Sequence, residues 1–93
     1  MSKYPYTVSV PGVRNEVLER LENNFTYHKP HGDQPARYEQ LRAAAKTLAQ
    51  QIVLQTPESR EQSVALTNLE QVVFWANAAI ARNEKEPATE QAA

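Results

Sequence analysis

Aromatic rings and cations between residues 27 and 46 are the part of this sequence best suited to chemistry. Arg42 and Lys46 are four residues apart and therefore share one face of a helix, with Tyr38 one turn before Arg42 on the same face. A base gains ~1 to 3 kcal/mol by stacking on an aromatic ring, and cationic side chains make charge-assisted hydrogen bonds with phosphate oxygens. With Tyr27 and His28 just upstream, the set has the composition that a nucleotide site needs.

More ordinary roles also account for the same three helical residues. Arg42 can pair with Glu39 at a spacing of i, i+3, Lys46 can be a solvated surface residue, and Tyr38 can close a hydrophobic core. Judged by spacing alone, these ordinary roles are favoured over a ligand site.

Catalytic and metal-binding motifs are lacking. The sequence contains no Gly-rich phosphate loop, no HExxH, no GxSxG and no cysteine, so no catalytic residue or cofactor is predicted. His28 and His31 have an H-x-x-H spacing, but Pro30 lies between them and no third ligand is close. We therefore expect no metal site, and hydrogen bonds from the loop histidines to the backbone instead.

Composition narrows the choice of partner and compartment. A chain of 93 residues has room for one domain, and a net charge of −1 argues against broad binding to duplex DNA. A DNA-binding regulator that uses Arg14 and Arg20 is accordingly the third interpretation. No apolar run approaches the ~20 residues that span a membrane, and the first ten residues do not resemble a signal peptide. A cytoplasmic protein with no membrane partner is expected.

The first third of the chain predicts an arm, a short helix and an ordered loop. Apolar residues alternate with polar ones from Tyr4 to Val10, so residues 1–10 are expected to form an extended N-terminal arm. Pro11 suits the first turn of a short amphipathic helix that runs to about Asn23. Residues 25–35 contain three prolines and a glycine, which prevent regular structure, together with aromatic and histidine side chains that favour an ordered loop.

Two long helices are predicted for the remainder. The second begins at Pro35 and ends near Gln55, and its stripe consists of Tyr38, Leu41, Ala45, Leu48 and Ile52. Ser59 and Gln62 form a capping box for the third helix, whose stripe consists of Ala65, Leu69, Val72, Val73, Ala76 and Ile80. Helices of this length span roughly 30 to 37 Å, which predicts an antiparallel hairpin in an all-α fold. Residues 11–83 would form a single helical domain, followed by a polar, disordered tail over residues 84–93.

The third helix has more apolar surface than one hairpin can cover. Nine of the ten residues at positions 72–81 are apolar, so the helix is hydrophobic on almost every side. Leu66, Phe74 and Trp75 fall off the main stripe and predict a second contact surface. We expect copies of the same chain or a partner to cover this surface, through an interface that includes Leu69, Val73, Phe74, Trp75 and Ile80.

Five runs of the sequence, in this order, are similar to the small phage anti-CBASS proteins that act as cyclic-oligonucleotide sponges. The runs are FTYH at 25–28, QPARYE at 34–39, AAKTLA at 44–49, SREQSVALTNLE at 59–70 and WANAAIARN at 75–83. The resemblance implies an all-helical oligomer, typically a hexamer of interlocked protomers. It also implies that cyclic di- and trinucleotide messengers of bacterial anti-phage signalling, of the cyclic GMP-AMP type, are sequestered without being degraded.

Individual roles follow from the same resemblance. It implies that Tyr27, next to His28, stacks on a base of a cyclic dinucleotide, and that Arg42 contacts its phosphate, with Lys46 as the second choice. Arg82 and Thr67 match positions that imply a separate cyclic-trinucleotide pocket. Residues 1–24 have no counterpart in the resemblance. The family would act in the cytoplasm of an infected bacterial host.

A second class of function remains open from the sequence. A small helical structural or adaptor oligomer would use the same apolar faces to bind another protein, with no nucleotide ligand. Arg42 and Lys46 would then only solvate its surface.

Overall fold

The structure, a computed structural model, describes residues 12–85, and the regular elements in this part of the chain are helices, without strands. Its elements are α1 (Asn15–Asn24), α2 (Gln34–Gln55) and α3 (Arg60–Asn83). The predicted all-α fold is thus confirmed. The predicted arm at 1–10 and residues 86–93 of the predicted tail lie outside the described residues. Within the described part, no helix is both long and apolar enough to cross a membrane.

Helix α1 is short and is held by one apolar side chain. It begins at Asn15, whereas the sequence predicted a start at Pro11, which is outside the described residues. Leu18 is the buried residue of this helix, only 8% exposed. The amphipathic character that the sequence predicted therefore positions α1 through Leu18.

Helices α2 and α3 pack against each other as an antiparallel hairpin. At the connection, the Ser59 hydroxyl accepts a hydrogen bond from the Gln62 backbone N–H at 3.1 Å, as the predicted cap requires. In a full capping box the Gln62 side chain would also bond to the Ser59 N–H. Here it donates instead to the Thr56 carbonyl, at 3.1 Å. Gln62 therefore ties the start of α3 to the end of α2.

The apolar stripe of α3 agrees with the prediction at four of its six positions. The covered positions recur in steps of three and four residues: Leu66, Leu69, Val73, Ala76 and Ile80. Ala65 and Val72, which the prediction included, are exposed, whereas Leu66, which it left off the stripe, is half-buried. The prediction was wrong at these positions because each has an apolar neighbour, and periodicity alone does not show which of the two residues is covered.

A smaller correction applies to α2. Leu41 and Leu48 are 37% and 47% exposed, and Ala49, next to Leu48, is more covered. Tyr38, Ala45 and Ile52 do lie on the covered side, as predicted. Small alanines at 45 and 49 allow the two helices to approach each other closely.

The described chain is a single layer of helices, measuring 55 × 39 × 14 Å. A thickness of 14 Å is close to the diameter of one helix with its side chains, so there is no enclosed interior. Within residues 12–85, only Leu18 and Gln34 are buried. Large apolar side chains are correspondingly exposed, and they are Leu21, Phe25, Tyr27, Leu41, Leu48, Val53, Leu54, Val64, Val72, Phe74 and Trp75.

Candidate functional site

Three polar residues join the start of α2 to the end of α3, at the end of the hairpin opposite the connecting turn. Arg37 donates two hydrogen bonds to the Glu84 carboxylate, at 2.6 and 2.9 Å, and a third to Asp33 at 3.0 Å. Gln34 donates to the same Glu84 carboxylate at 3.1 Å. We call Gln34, Arg37 and Glu84 the clasp. Glu84 is the first residue of the predicted tail, and this contact fixes its side chain to the hairpin.

Hydrogen bonds within the clasp shift the pKa values of its two charged residues, Arg37 and Glu84. Hydrogen bonds, first from Arg37 and then from Gln34, lower the pKa of the Glu84 carboxyl from 4.5 to about 2. The bonds to Glu84 and Asp33 raise the pKa of Arg37 above its ordinary value. Glu84 is therefore ionised, and the two-pronged ion pair intact, throughout the neutral and mildly acidic range.

The loop between α1 and α2 is anchored on the same end of the hairpin. His28 donates from Nε2 to the Asn23 carbonyl at 2.7 Å, which confirms the expected backbone bond for this histidine. Asn23 in turn donates from its side chain to the Arg82 carbonyl at 2.9 Å, one of the carbonyls that the end of a helix leaves without an intrahelical partner. The His31 N–H donates to the Gln34 side chain at 3.1 Å. The loop is therefore ordered, as predicted.

An open groove of about 570 Å³ lies beside the clasp, between α2, α3 and the loop. Its lining residues are His28, Pro35, Tyr38, Glu39, Arg42, Asn77, Ala78, Ala81 and Arg82. The volume is in the range of small-molecule sites in proteins, roughly 300 to 1,000 Å³. Two arginines and a histidine face one carboxylate, so at neutral pH the lining has an excess of positive charge.

Four of the predicted ligand residues meet in this groove, and three do not. His28, Tyr38, Arg42 and Arg82 line it, although Arg82 was predicted to belong to a separate pocket with Thr67. Tyr27, Lys46 and Thr67 are exposed and outside the lining, and the Tyr27 side chain is 80% exposed. The groove of one chain therefore combines Tyr38 with two guanidinium groups.

The lining also contains residues that sequence reasoning missed. Pro35 and Glu39 flank Tyr38 on α2, and Asn77, Ala78 and Ala81 form the α3 side. A signal for Asn77 was present, because it is the single polar residue in the apolar run at 72–81. Its side-chain oxygen is buried without a hydrogen-bond partner, which is uncommon for a structural asparagine.

Arg42 makes no ion pair with any residue of the described chain, so the ordinary alternative of pairing with Glu39 is not realised. Among residues 12–85, its charge therefore has no acidic partner. Arg82 differs, since its guanidinium lies over the Trp75 ring at 5.9 Å from the ring centre. Within residues 12–85 no group of three or more His, Cys, Asp or Glu side chains is arranged to hold a metal ion.

The predicted interface residues fall on two different faces of α3. Phe74 and Trp75 are each 65% exposed and lie away from α2. Leu69, Val73 and Ile80 are half-buried on the side that α3 turns toward α2. Phe74 and Trp75 are thus the two predicted interface residues that the single chain leaves largely uncovered.

The comparison with protein families agrees with this architecture. Residues 18–81, more than two thirds of the chain, match the family described as Acb2/Tad1, hairpin domain. Neither a curated protein nor a solved structure matches the chain. The matched segment begins at the buried Leu18 of α1 and includes the loop, α2 and α3 through Ala81, so that it contains all of the groove except Arg82. The chain therefore belongs to the Acb2/Tad1 family of anti-CBASS cyclic-oligonucleotide sponges.

Proposed function

We propose that this protein binds cyclic di- or trinucleotide second messengers of the cyclic GMP-AMP type and sequesters them without cleavage, which would block CBASS signalling in a phage-infected bacterium. The protein would act in the cytoplasm of the host. Family membership supports the class of ligand. The observation that carries the proposal is the meeting of Tyr38, Arg42 and Arg82 in one open groove.

The chemistry of the groove suits a nucleotide phosphate. The Arg42 guanidinium has no carboxylate partner in the described chain, so binding an anion there breaks no existing ion pair. Guanidinium groups bind phosphate oxygens through paired N–H donors, and such charge-assisted bonds are about twice as strong as neutral ones. Tyr38 lies one turn away and supplies an aromatic surface beside the phosphate position.

Sequestration requires that the ligand be shielded, and a second chain would provide the shielding. The groove is open to solvent on a layer only 14 Å thick. A cyclic dinucleotide has two phosphates and an approximate twofold axis, and a symmetric interface presents every side chain twice. Two copies would then supply two arginine pairs and two tyrosine rings to one ring-shaped ligand.

An arrangement of two copies around one ligand would also give a role to Tyr27, which is exposed on the single chain. We propose that Tyr27 and Lys46 contribute to the binding site of a neighbouring copy, with Tyr27 as the stacking ring. Assembly would use the exposed aromatic face around Phe74 and Trp75, and by family resemblance the assembly would be a hexamer. A separate trinucleotide site with Arg82 and Thr67 would also have to form between copies, because Thr67 is outside the groove.

Isothermal titration calorimetry with 3′,3′-cyclic GMP-AMP tests the binding proposal. We expect saturable heat and a rise in melting temperature. If no cyclic di- or trinucleotide produces either signal, the protein is not a sponge, and the adaptor interpretation takes its place. A salt-sensitive retention on duplex DNA would favour the regulator instead.

A release experiment separates capture from catalysis. The protein is incubated with the messenger and then digested with protease, and the nucleotide is analysed by chromatography. Intact messenger in full yield is the result expected of a sponge. A linearised or otherwise converted nucleotide would identify an enzyme.

A further inference from the structure

The clasp lies directly beside the groove in the chain as well as in space. Gln34 and Arg37 immediately precede the groove residues Pro35 and Tyr38, and Glu84 follows Arg82 by two residues. Each wall of the groove therefore has at least one residue within two positions of a clasp residue.

This end of the hairpin has no covalent connection to hold it closed. The opposite end is joined by the turn at residues 56–59 and by the bonds from Gln62 to Thr56. At the groove end, α2 begins and α3 terminates, and helix termini fray unless side chains fix them. The distance between the two walls thus depends on side-chain contacts, and those from Gln34 and Arg37 to Glu84 join α2 to α3 directly.

Gln34 extends the clasp to the loop. It is the most buried polar residue of the described chain, only 2% exposed, and both ends of its amide are bonded. Its Nε2 donates to Glu84 and its Oε1 accepts from the His31 N–H, both at 3.1 Å. The orientation of this buried amide links the carboxylate after α3 to the loop that carries Tyr27 and His28.

We infer that the clasp of Gln34, Arg37 and Glu84 is a positioning unit for the ligand groove, which sets the spacing of its two walls and the conformation of the loop. The inference rests on the proposed function, since it assigns these residues a role in nucleotide affinity. None of the three lines the groove, so each acts through its neighbours. The two-pronged geometry of the pair distinguishes it from an ordinary surface salt bridge, which contributes little.

A double-mutant cycle tests this role. Glu84→Gln and Arg37→Gln each break the ion pair without changing the size of the side chain greatly, and Glu70→Gln on the exposed surface of α3 is the matched control. We expect the Kd for 3′,3′-cyclic GMP-AMP to rise about tenfold in each single variant. The double variant should show no further rise, because both changes remove the same contact.

A second readout separates positioning from simple stabilisation. The exchange rate of the His31 amide hydrogen, measured by NMR well below the melting temperature, should increase in Glu84→Gln and stay unchanged in Glu70→Gln. Glu84 lies just after α3, so this variant should keep the helical circular dichroism of the original protein even if Arg37→Gln does not fold.

The outcomes distinguish the two proposals. If the original protein binds the messenger and folded Glu84→Gln binds it equally well, the positioning role is wrong and the sponge proposal stands. The positioning role is also wrong if the affinity falls but the His31 amide is unaffected. If the original protein binds no cyclic nucleotide, the proposed function is wrong and the positioning role fails with it.

Discussion

The guanidinium of Arg82 lies over the ring of Trp75, 5.9 Å from its centre, so a residue of the groove touches the exposed aromatic face of α3. Residues seven apart on a helix share a face, which is why the two side chains meet. Arg82 is thereby positioned by a ring that the proposed assembly would cover. Under the proposed function, ligand binding and assembly would share this side-chain contact.

Trp75→Ala should reduce assembly more than it reduces the stability of the single chain. The ring is largely exposed in one chain, and the loss of ~3 to 5 kcal/mol expected for a fully buried aromatic residue applies only if partner copies cover it. Sedimentation velocity at micromolar concentration measures the effect. Leu54→Ala, a similarly exposed apolar residue at the other end of the hairpin, is the control. An unchanged mass for Trp75→Ala would place the interface elsewhere.

Arg42→Glu should weaken nucleotide binding and leave the fold intact. The substitution replaces attraction by repulsion at the phosphate, and loss of one charge-assisted contact alone is worth about 1.5 to 3 kcal/mol, roughly a 10- to 150-fold rise in Kd. Since Arg42 has no ion pair in the described chain, thermal stability should change little. Calorimetry compares it with Arg60→Glu, an exposed cation at the far end of α3. If Arg42→Glu and Arg60→Glu bind with equal affinity, the phosphate contact would be assigned to Lys46 or Arg82 instead.

Tyr27→Ala tests whether the exposed loop tyrosine stacks on a base. Its removal should raise Kd by about 5- to 150-fold, the equivalent of ~1 to 3 kcal/mol, without loss of helical structure. Phe25→Ala, an equally exposed ring of the same loop, should bind normally. Tight binding by Tyr27→Ala would leave Tyr38 as the aromatic ring of the site.

The stability that the clasp provides should depend on pH in a defined direction. The folded pKa of Glu84, about 2, is below its ordinary value of 4.5, so this contribution is fully present above pH 4.5 and is lost as the pH falls toward 2. Melting temperatures of the original protein and of Glu84→Gln should therefore differ at pH 7 and converge below pH 4.5. A constant difference between pH 7 and pH 2.5 would show that Glu84 acts through something other than its charge.

The helices were predictable because their start and stop signals are local. Ser59 caps α3 through the Gln62 N–H, and Pro35 lies in the first turn of α2, as proline patterns favour. Most of the α3 stripe was predicted correctly, but a run with nine apolar residues in ten does not show which of its members, such as Val72, stay exposed. Leu66 instead of Ala65 faces α2, which is a result of packing between helices.

Only the α2 side of the groove could be predicted from the sequence. Tyr38 and Arg42 share a helix face, and spacing within one helix is visible in the sequence. Asn77 and Arg82 join them only because α3 runs antiparallel to α2, a relationship that no local pattern contains. The clasp between Arg37 and Glu84, 47 residues apart, is of the same kind.

The thinness of the described chain has a thermodynamic consequence. If copies of the chain assemble as proposed, they would cover apolar surface that one chain leaves exposed, so dilution should loosen the fold and higher protein concentration should raise the melting temperature. A messenger that bridges two such chains would stabilise the contact between them, so binding of the ligand would also stabilise the assembly that encloses it.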